Sequence, residues 1–234
     1  MGNPYIVLWL EGPLQSWGYN SKFNRRESLN FPTKSGILGL LCSALGYSGE
    51  QREILEKFST LDMQVFSYKK PEVEKSSLMM DFHLIGSGYN KLNDPWQDLL
   101  IPRTSEGKKA VNGGVKLTYR YYLTDAVFSV LLEVPKNLVD QCSYSLQFPY
   151  WDMFLGRKNC IPSDIIYRGI HYDYLSAIET VKKIVLDKQY LLDFSVFQGK
   201  IKNADDEIIL NDVPVQFGVT KIYRERLVSI VYEK

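Results

Sequence analysis

Polar donors, a large ring and a flexible residue sit within four positions at Gln15-Ser16-Trp17-Gly18. Arg25 and Arg26 follow, and then Phe31-Pro32-Thr33-Lys34-Ser35-Gly36. Pro32 disfavours helix at Phe31, while Thr33 or Ser35 can cap the first free N–H groups of a helix that starts there. A helix N-terminus with Lys34 beside it and Gly36 allowing close approach has the chemistry of a phosphate seat. The plainer readings are an ordinary cap and a turn that tucks Trp17 into the core. A second loop, Gly156-Arg157-Lys158, follows the aromatic run at Tyr150, and its glycine permits a positive φ or a close backbone approach. Positive charge, rings and glycine recurring together point to the binding of a polyanion. A nucleotide P-loop is excluded, because no glycine lies five residues before Lys34 and the threonine precedes the lysine.

Nothing in the chain has the spacing of a reaction centre. His83 and His171 are the two histidines, and neither belongs to a triad or a metal-ligand pattern. His83 lies two residues from Asp81 on one face of a strand, where it either pairs with that carboxylate or meets a ligand. Cys42, Cys142 and Cys160 are scattered, which argues against a disulfide framework and a structural zinc site. We expect no cofactor and no metal. The N-terminus lacks the basic region of a signal peptide, and no run approaches the ~20 apolar residues of a membrane span, so a cytoplasmic protein is expected.

The formal net charge is only +1, but the charges segregate. Lys22 to Lys34 and Pro102 to Lys116 each hold four cations against one anion, whereas Ala204 to Asp212 holds four acids and no base. This pattern suggests an RNA-facing side and an acidic side facing solvent or a partner. The 16 tyrosines and 4 tryptophans suit exposed bases as well as a core.

These residues need elements to position them. Tyr5 to Leu10 reads as a buried central strand stopped by Gly12-Pro13, followed by a helix from Ile37 to Leu45 and an amphipathic helix over Glu50 to Thr60. Met63 to Tyr68 and Ala126 to Val134 read as strands; Asn137 to Leu146 and Tyr172 to Val185 read as helices. Leu191 to Phe197, Glu207 to Leu210 and Leu227 to Tyr232 are further strands. The 29 residues from Gly86 to Gly114 have no sustained period, and a loop of that length is functional or disordered. Leu78 to Leu123 is therefore read as a projecting β-hairpin carrying Arg103, Lys108, Lys109 and Lys116, with Tyr119 and Arg120 on its second strand. The expected fold is α+β: a ferredoxin-like core with helices on one sheet face, a hairpin over 78–123 and a strand extension over 190–234, all in one domain of 1–234.

Four segments carry a resemblance to a known family: LEGPLQSWG (Leu10 to Gly18), FPTKSGILGLL (Phe31 to Leu41), TYRYYLTDAVFSVLLE (Thr118 to Glu133) and LGRKNC (Leu155 to Cys160). Together they resemble the CasD family, the fifth Cas subunit of type I-E CRISPR interference complexes. The likeness runs to about Pro162 and is weaker beyond it; Ile161 stands where relatives often have proline. The resemblance implies an RRM-like core with a β-hairpin thumb, and a non-catalytic subunit that grips the 5′ handle of CRISPR RNA at one end of Cascade. The implied neighbours are the CasC backbone subunit and the CasA large subunit, with target DNA met only indirectly and no membrane. Type I-C relatives instead cut CRISPR RNA precursors, using a tyrosine and an adjacent Lys-His pair. No Lys-His dipeptide occurs here, Lys116 is followed by Leu117, and Tyr47 ends a helix without an evident partner.

Overall fold

Alternation decides the first element. In the strand Tyr5–Glu11, Ile6, Leu8 and Leu10 face one way and Val7 and Trp9 the other, and all five are buried. A strand apolar on both faces must be sandwiched between layers. The computed structural model describes residues 2–19, 21, 24–72, 77–85, 104–108 and 116–233, with the side chains of Ile85 and Lys116 excepted. Arg103, Lys109 and the side chain of Lys116, all expected on the hairpin, lie outside the described residues.

In chain order the early strands are β1 (Tyr5–Glu11), β2 (Leu14–Gln15), β3 (Trp17–Gly18), β4 (Arg25–Arg26) and β5 (Ser28–Leu29). Then come α1 (Lys34–Ala44), α2 (Arg52–Phe58), β6 (Met63–Lys69), β7 (Leu78–Ile85), β8 (Lys116–Thr124) and β9 (Val127–Glu133). The chain continues with α3 (Val139–Gln147), β10 (Tyr167–His171), α4 (Tyr174–Asp187), β11 (Leu191–Gln198), β12 (Asp206–Gln216) and β13 (Ile222–Tyr232). The short strands β2 to β5 and the strand β10 were not expected from the sequence.

Seven strands form one antiparallel sheet in the order β10-β1-β9-β6-β11-β13-β12. The strands after residue 190 thus continue the sheet that β1 begins, through the pairing of β11 with β6. On one face, Ile6, Leu8, Val65, Phe128 and Val130 pack against α1, α2 and α3 through Leu38, Leu41, Leu55, Phe58, Cys142 and Leu146.

The expectation that helices cover one face only is corrected by α4. Its Ala177 and Val181 lie on the opposite face, over Val7, Trp9, Phe66, Tyr68 and Leu131. Burying each such large side chain is worth about 1.5–3 kcal/mol, so a face this apolar requires a cover. Asp173 caps α4 by accepting from the Ser176 N–H at 2.8 Å. Beyond its other end, Lys188 Nζ reaches Glu11 (2.7 Å) and Asp164 (2.8 Å). Burial alone would raise the Glu11 pKa, but hydrogen bonds from Lys188, Trp9 and Tyr190 hold it below the usual carboxylate range.

A smaller sheet stands on β8. It pairs antiparallel with β7 from Leu78↔Leu123 to Ile85↔Lys116, antiparallel with β2, and parallel with β4 through Arg25↔Tyr119 and Arg26↔Arg120. The loop after β1 is thereby laid along the base of the β7–β8 ladder. β3 and β5 form a two-stranded ribbon beside it.

Candidate nucleic-acid interface

Several residues expected to touch a ligand instead hold the loops that present one. Gln15 is buried; its amide donates to the Leu10 and Ala126 carbonyls at 3.0 and 2.6 Å, and its Oε1 accepts from Trp17 Nε1 at 3.1 Å. Trp17 is fully buried under Gly36, where a Cβ would sit 2.8 Å from the indole. The tucked-in reading of Trp17 is the correct one, and its ring is not available for stacking. Ser16 is also buried, donating from Oγ to the Tyr121 carbonyl at 3.0 Å. Its N–H donates to the Leu155 carbonyl at 3.0 Å. Gly156, at φ +94°, passes so close to Ser16 that a Cβ would lie 1.8 Å from the Ser16 carbonyl oxygen. The two basic loops are locked to each other at this point, and only glycine fits.

The helix N-terminus at Thr33 is no phosphate seat. Thr33 is buried and caps α1, its Oγ1 accepting from the Gly36 N–H at 3.1 Å. The Lys34 N–H already donates to an anion at 2.7 Å, the carboxylate of Asp212. Asp212 is buried and paired with Arg226 through bonds of 2.7 and 2.9 Å. The acidic stretch from Ala204 therefore loses one of its four carboxylates to the interior. The Lys34 side chain is 0% exposed, and its ammonium donates to the Ser59 and Leu61 carbonyls (3.2 and 2.6 Å) and to Gln198 Oε1 (3.1 Å). All three donors are spent inside the protein. Burial, reinforced by nearby Arg226, lowers its pKa to about 8. Lys34 is an anchor, not a phosphate ligand.

Of the expected cations, Arg26, Arg157 and Lys158 line one groove. A cavity of about 490 Å³ is bordered by Gly18, Ser35, Phe154, Gly156, Arg157 and Lys158. A second of about 550 Å³, bordered by Tyr19, Arg26 and Asn211, shares Gly18, Ser35, Lys221 and Tyr223 with the first. Asp152 is the one carboxylate among the described lining residues, against Arg26, Arg157, Lys158 and Lys221. The Arg157 guanidinium lies 4.8 Å from the Tyr122 ring centroid and donates to the Arg26 carbonyl at 2.9 Å, which ties β4 to the second loop. Arg25 is exposed and donates to the Tyr121 hydroxyl at 2.7 Å. Arg26, Lys158 and Lys221 have no ion pair among the described residues. Such a surface can hold several phosphates, with tyrosine rings placed for bases.

The sequence reading missed the far wall of this groove. Asn211, Phe217, Lys221 and Tyr223 come from β12, β13 and the turn between them. A strand signal at Glu207 to Leu210 was visible, but nothing local tied it to a loop at residue 18.

Other expected residues lie on the β7–β8 ladder. Tyr119 stands with its ring 5.3 Å from that of Phe82, and Arg120 pairs across from Asp81 and Arg26. His83 Nε2 is bonded to Asp81 Oδ2, the plainer of its two readings. Lys108 sits in an exposed turn and pairs with Glu106 at 3.0 Å, a contact of little energetic weight. The three cysteines are free and buried, and burial pushes the Cys42 and Cys142 thiols up to about 11 and 12. They are protonated and inert at neutral pH.

Three comparisons bear on this arrangement. The family described as CRISPR-associated protein (Cas_Cas5) matches residues 5–229. The chain is 25% identical over 175 residues to the CRISPR system Cascade subunit CasD of Escherichia coli (strain K12), covering 70% of each protein. Among solved structures, a chain of a CRISPR RNA-guided surveillance complex is similar with a TM-score of 0.71 and 26% identity, over 97% of this chain and 89% of that one. A crystallised Cas protein shares the fold at a TM-score of 0.57 and 24% identity, over 96% and 95% of the two chains.

Proposed function

The chain belongs to the Cas5 family of CRISPR-associated proteins, and from that premise we propose that it is a non-catalytic RNA-binding subunit of a Cascade-type surveillance complex. The observation that carries this is the groove, where Arg26, Lys158 and Lys221 stand without ion pairs among the described residues and Tyr19 and Tyr223 stand beside them. Single-stranded RNA is the ligand that uses both features: phosphates for the cations and unstacked bases for the rings. The segment bound is the 5′ handle of CRISPR RNA, as the resemblance to CasD implies, and the neighbours are the terminal CasC subunit and CasA. The protein works in the cytoplasm; no described helix is long and apolar enough to cross a membrane.

Strand order supports a ferredoxin-like reading of the core. β10-β1-β9-β6 is the 4-1-3-2 order of a βαββαβ unit in which α1 and α3 are the crossovers. Residues 1–234 then form one domain, with 78–123 as an inserted thumb and 190–234 as the strand extension. The cleavage seen in type I-C relatives finds no support at Tyr47, whose hydroxyl accepts from Gln141 at 3.0 Å.

The test is assembly on handle-containing RNA. Lys158→Ala with Lys221→Ala should weaken it, and a wild-type protein neutralising roughly five phosphates should show a slope near −3.5 in log K against log salt. Unchanged assembly in the double variant refutes the groove as the RNA site. Cleavage of a repeat RNA by the pure protein in EDTA, lost in Tyr47→Phe, would refute the non-catalytic reading.

A further inference from the structure

Asn211 and Asp212 are neighbours in β12 with opposite fates. The pairing of β12 with β13 slips between Leu210 and Val213, an irregularity of the kind that re-aims side chains. Asp212 turns inward to Arg226 and the first N–H of α1. Asn211 is left exposed on the wall of the 550 Å³ cavity, and its amide makes no hydrogen bond among the described residues. Half-buried Tyr19 and Tyr223 line the same cavity, with Arg26 and Lys221 exposed at its edge. Its volume falls within the range of about 300–1,000 Å³ typical of small-ligand sites.

We propose that this cavity takes one unstacked nucleotide of the bound RNA and that Asn211 reads its base as adenine. This rests on the RNA-binding reading above and deepens it to a single subsite. A carboxamide presents a donor beside an acceptor, and two parallel bonds to adenine use both, the amino group donating to Oδ1 and a ring nitrogen accepting from Nδ2. Adenine alone carries an amino donor beside a ring acceptor on two edges, and a splayed-out base in single-stranded RNA exposes both. Tyr19 and Tyr223 supply the stacking surface, while Arg26 and Lys221 take the flanking phosphates. The inward pull on Asp212 is what keeps its neighbour's amide outside, so the subsite is built by the same register shift that brings Asp212 to the Lys34 N–H of α1.

The experiment uses the full-length protein reconstituted with its complex and CRISPR RNAs carrying an abasic site, or a changed base, at each handle position in turn. At one position, base removal should weaken assembly about 5- to 150-fold, the range that loss of one base–aromatic stack produces. Tyr223→Leu should abolish that sensitivity, with Tyr19→Leu as the second variant should Tyr223→Leu unfold. Asn211→Leu should keep the abasic loss while erasing the preference for adenine at the same position. The proposal is overturned if no position depends on Tyr223 or Tyr19, or if base preference survives Asn211→Leu. Lys158→Ala separates the two levels: if it still weakens assembly, the groove stands and only the adenine subsite falls.

Discussion

Replacing Gly156 by alanine probes the lock between the two basic loops. Two costs are expected, and a second glycine separates them. Gly199 has φ +84° with nothing within 4 Å of a built Cβ, so Gly199→Ala carries only the conformational cost, about 1–2 kcal/mol. Gly156 has φ +94° and carries the same cost, but its Cβ would also lie 1.8 Å from the Ser16 carbonyl oxygen. Real Cβ atoms do not approach closer than 3.0 Å, so one loop must retreat. That movement breaks the 3.0 Å bond from the Ser16 N–H to the Leu155 carbonyl, adding about 1 kcal/mol. The sum is about 2–3 kcal/mol, or about 4–12 °C in Tm for a chain of this size, against about 2–8 °C for Gly199→Ala, so the clash adds about 2–4 °C to the conformational cost the two share. Thermal unfolding of both variants beside the wild type gives the comparison, and assembly on handle RNA gives the functional readout. Displacing Arg157 and Lys158 from Gly18 should weaken assembly in Gly156→Ala and leave Gly199→Ala near wild type. A Gly156→Ala protein no less stable than Gly199→Ala would show that the loops are not locked at Ser16.

Lys34 and Asp212 give two further expectations. The pKa of Lys34 falls from 10.5 to about 8 on folding, so the unfolded chain binds the extra proton between those values. Stability must therefore rise with pH across that window; wild type should gain in Tm relative to Lys34→Met between pH 8 and 10.5, and parallel curves would sink the claim. Asp212→Ala leaves the Arg226 guanidinium buried without its carboxylate and the Lys34 N–H without an acceptor, at a cost of about 3–5 kcal/mol in urea denaturation. Adding Arg226→Met should recover part of that loss. No recovery would mean that the two side chains are not coupled.

Much of this was legible locally. The apolar run at Tyr5, the cap at Thr33 and the glycine at 156 each depend on neighbours in sequence or on backbone conformation, and the pairing of Leu78 to Ile85 with the strand ending at Thr124 was legible from two strand signals flanking one long aperiodic stretch. The reach of Lys34 was not legible. A lysine after a helix cap looks the same whether it points to solvent or inward, and its direction was set by carbonyls at Ser59 and Leu61 and by Gln198. The apolar outer face of the sheet was visible in Val7 and Trp9, yet its cover came from α4, some 170 residues further on.

By itself, the sequence determined that the protein has positive loops rich in glycine and rings, two histidines without triad or metal-ligand spacing, and an α+β alternation. Those properties follow from residue type and short-range geometry. Only the tertiary structure decided which charges stay in water. Five residues read as ligands, Gln15, Ser16, Trp17, Thr33 and Lys34, were drawn into the core, where Gln15, Ser16, Trp17 and Lys34 donate to buried acceptors and Thr33 caps α1. Asn211, Lys221 and Tyr223 took their place at the groove because β12 packs its Asp212 against the start of α1. A hydrogen bond spanning 178 residues in sequence leaves no periodic trace in the chain, and that bond sets the groove's far wall.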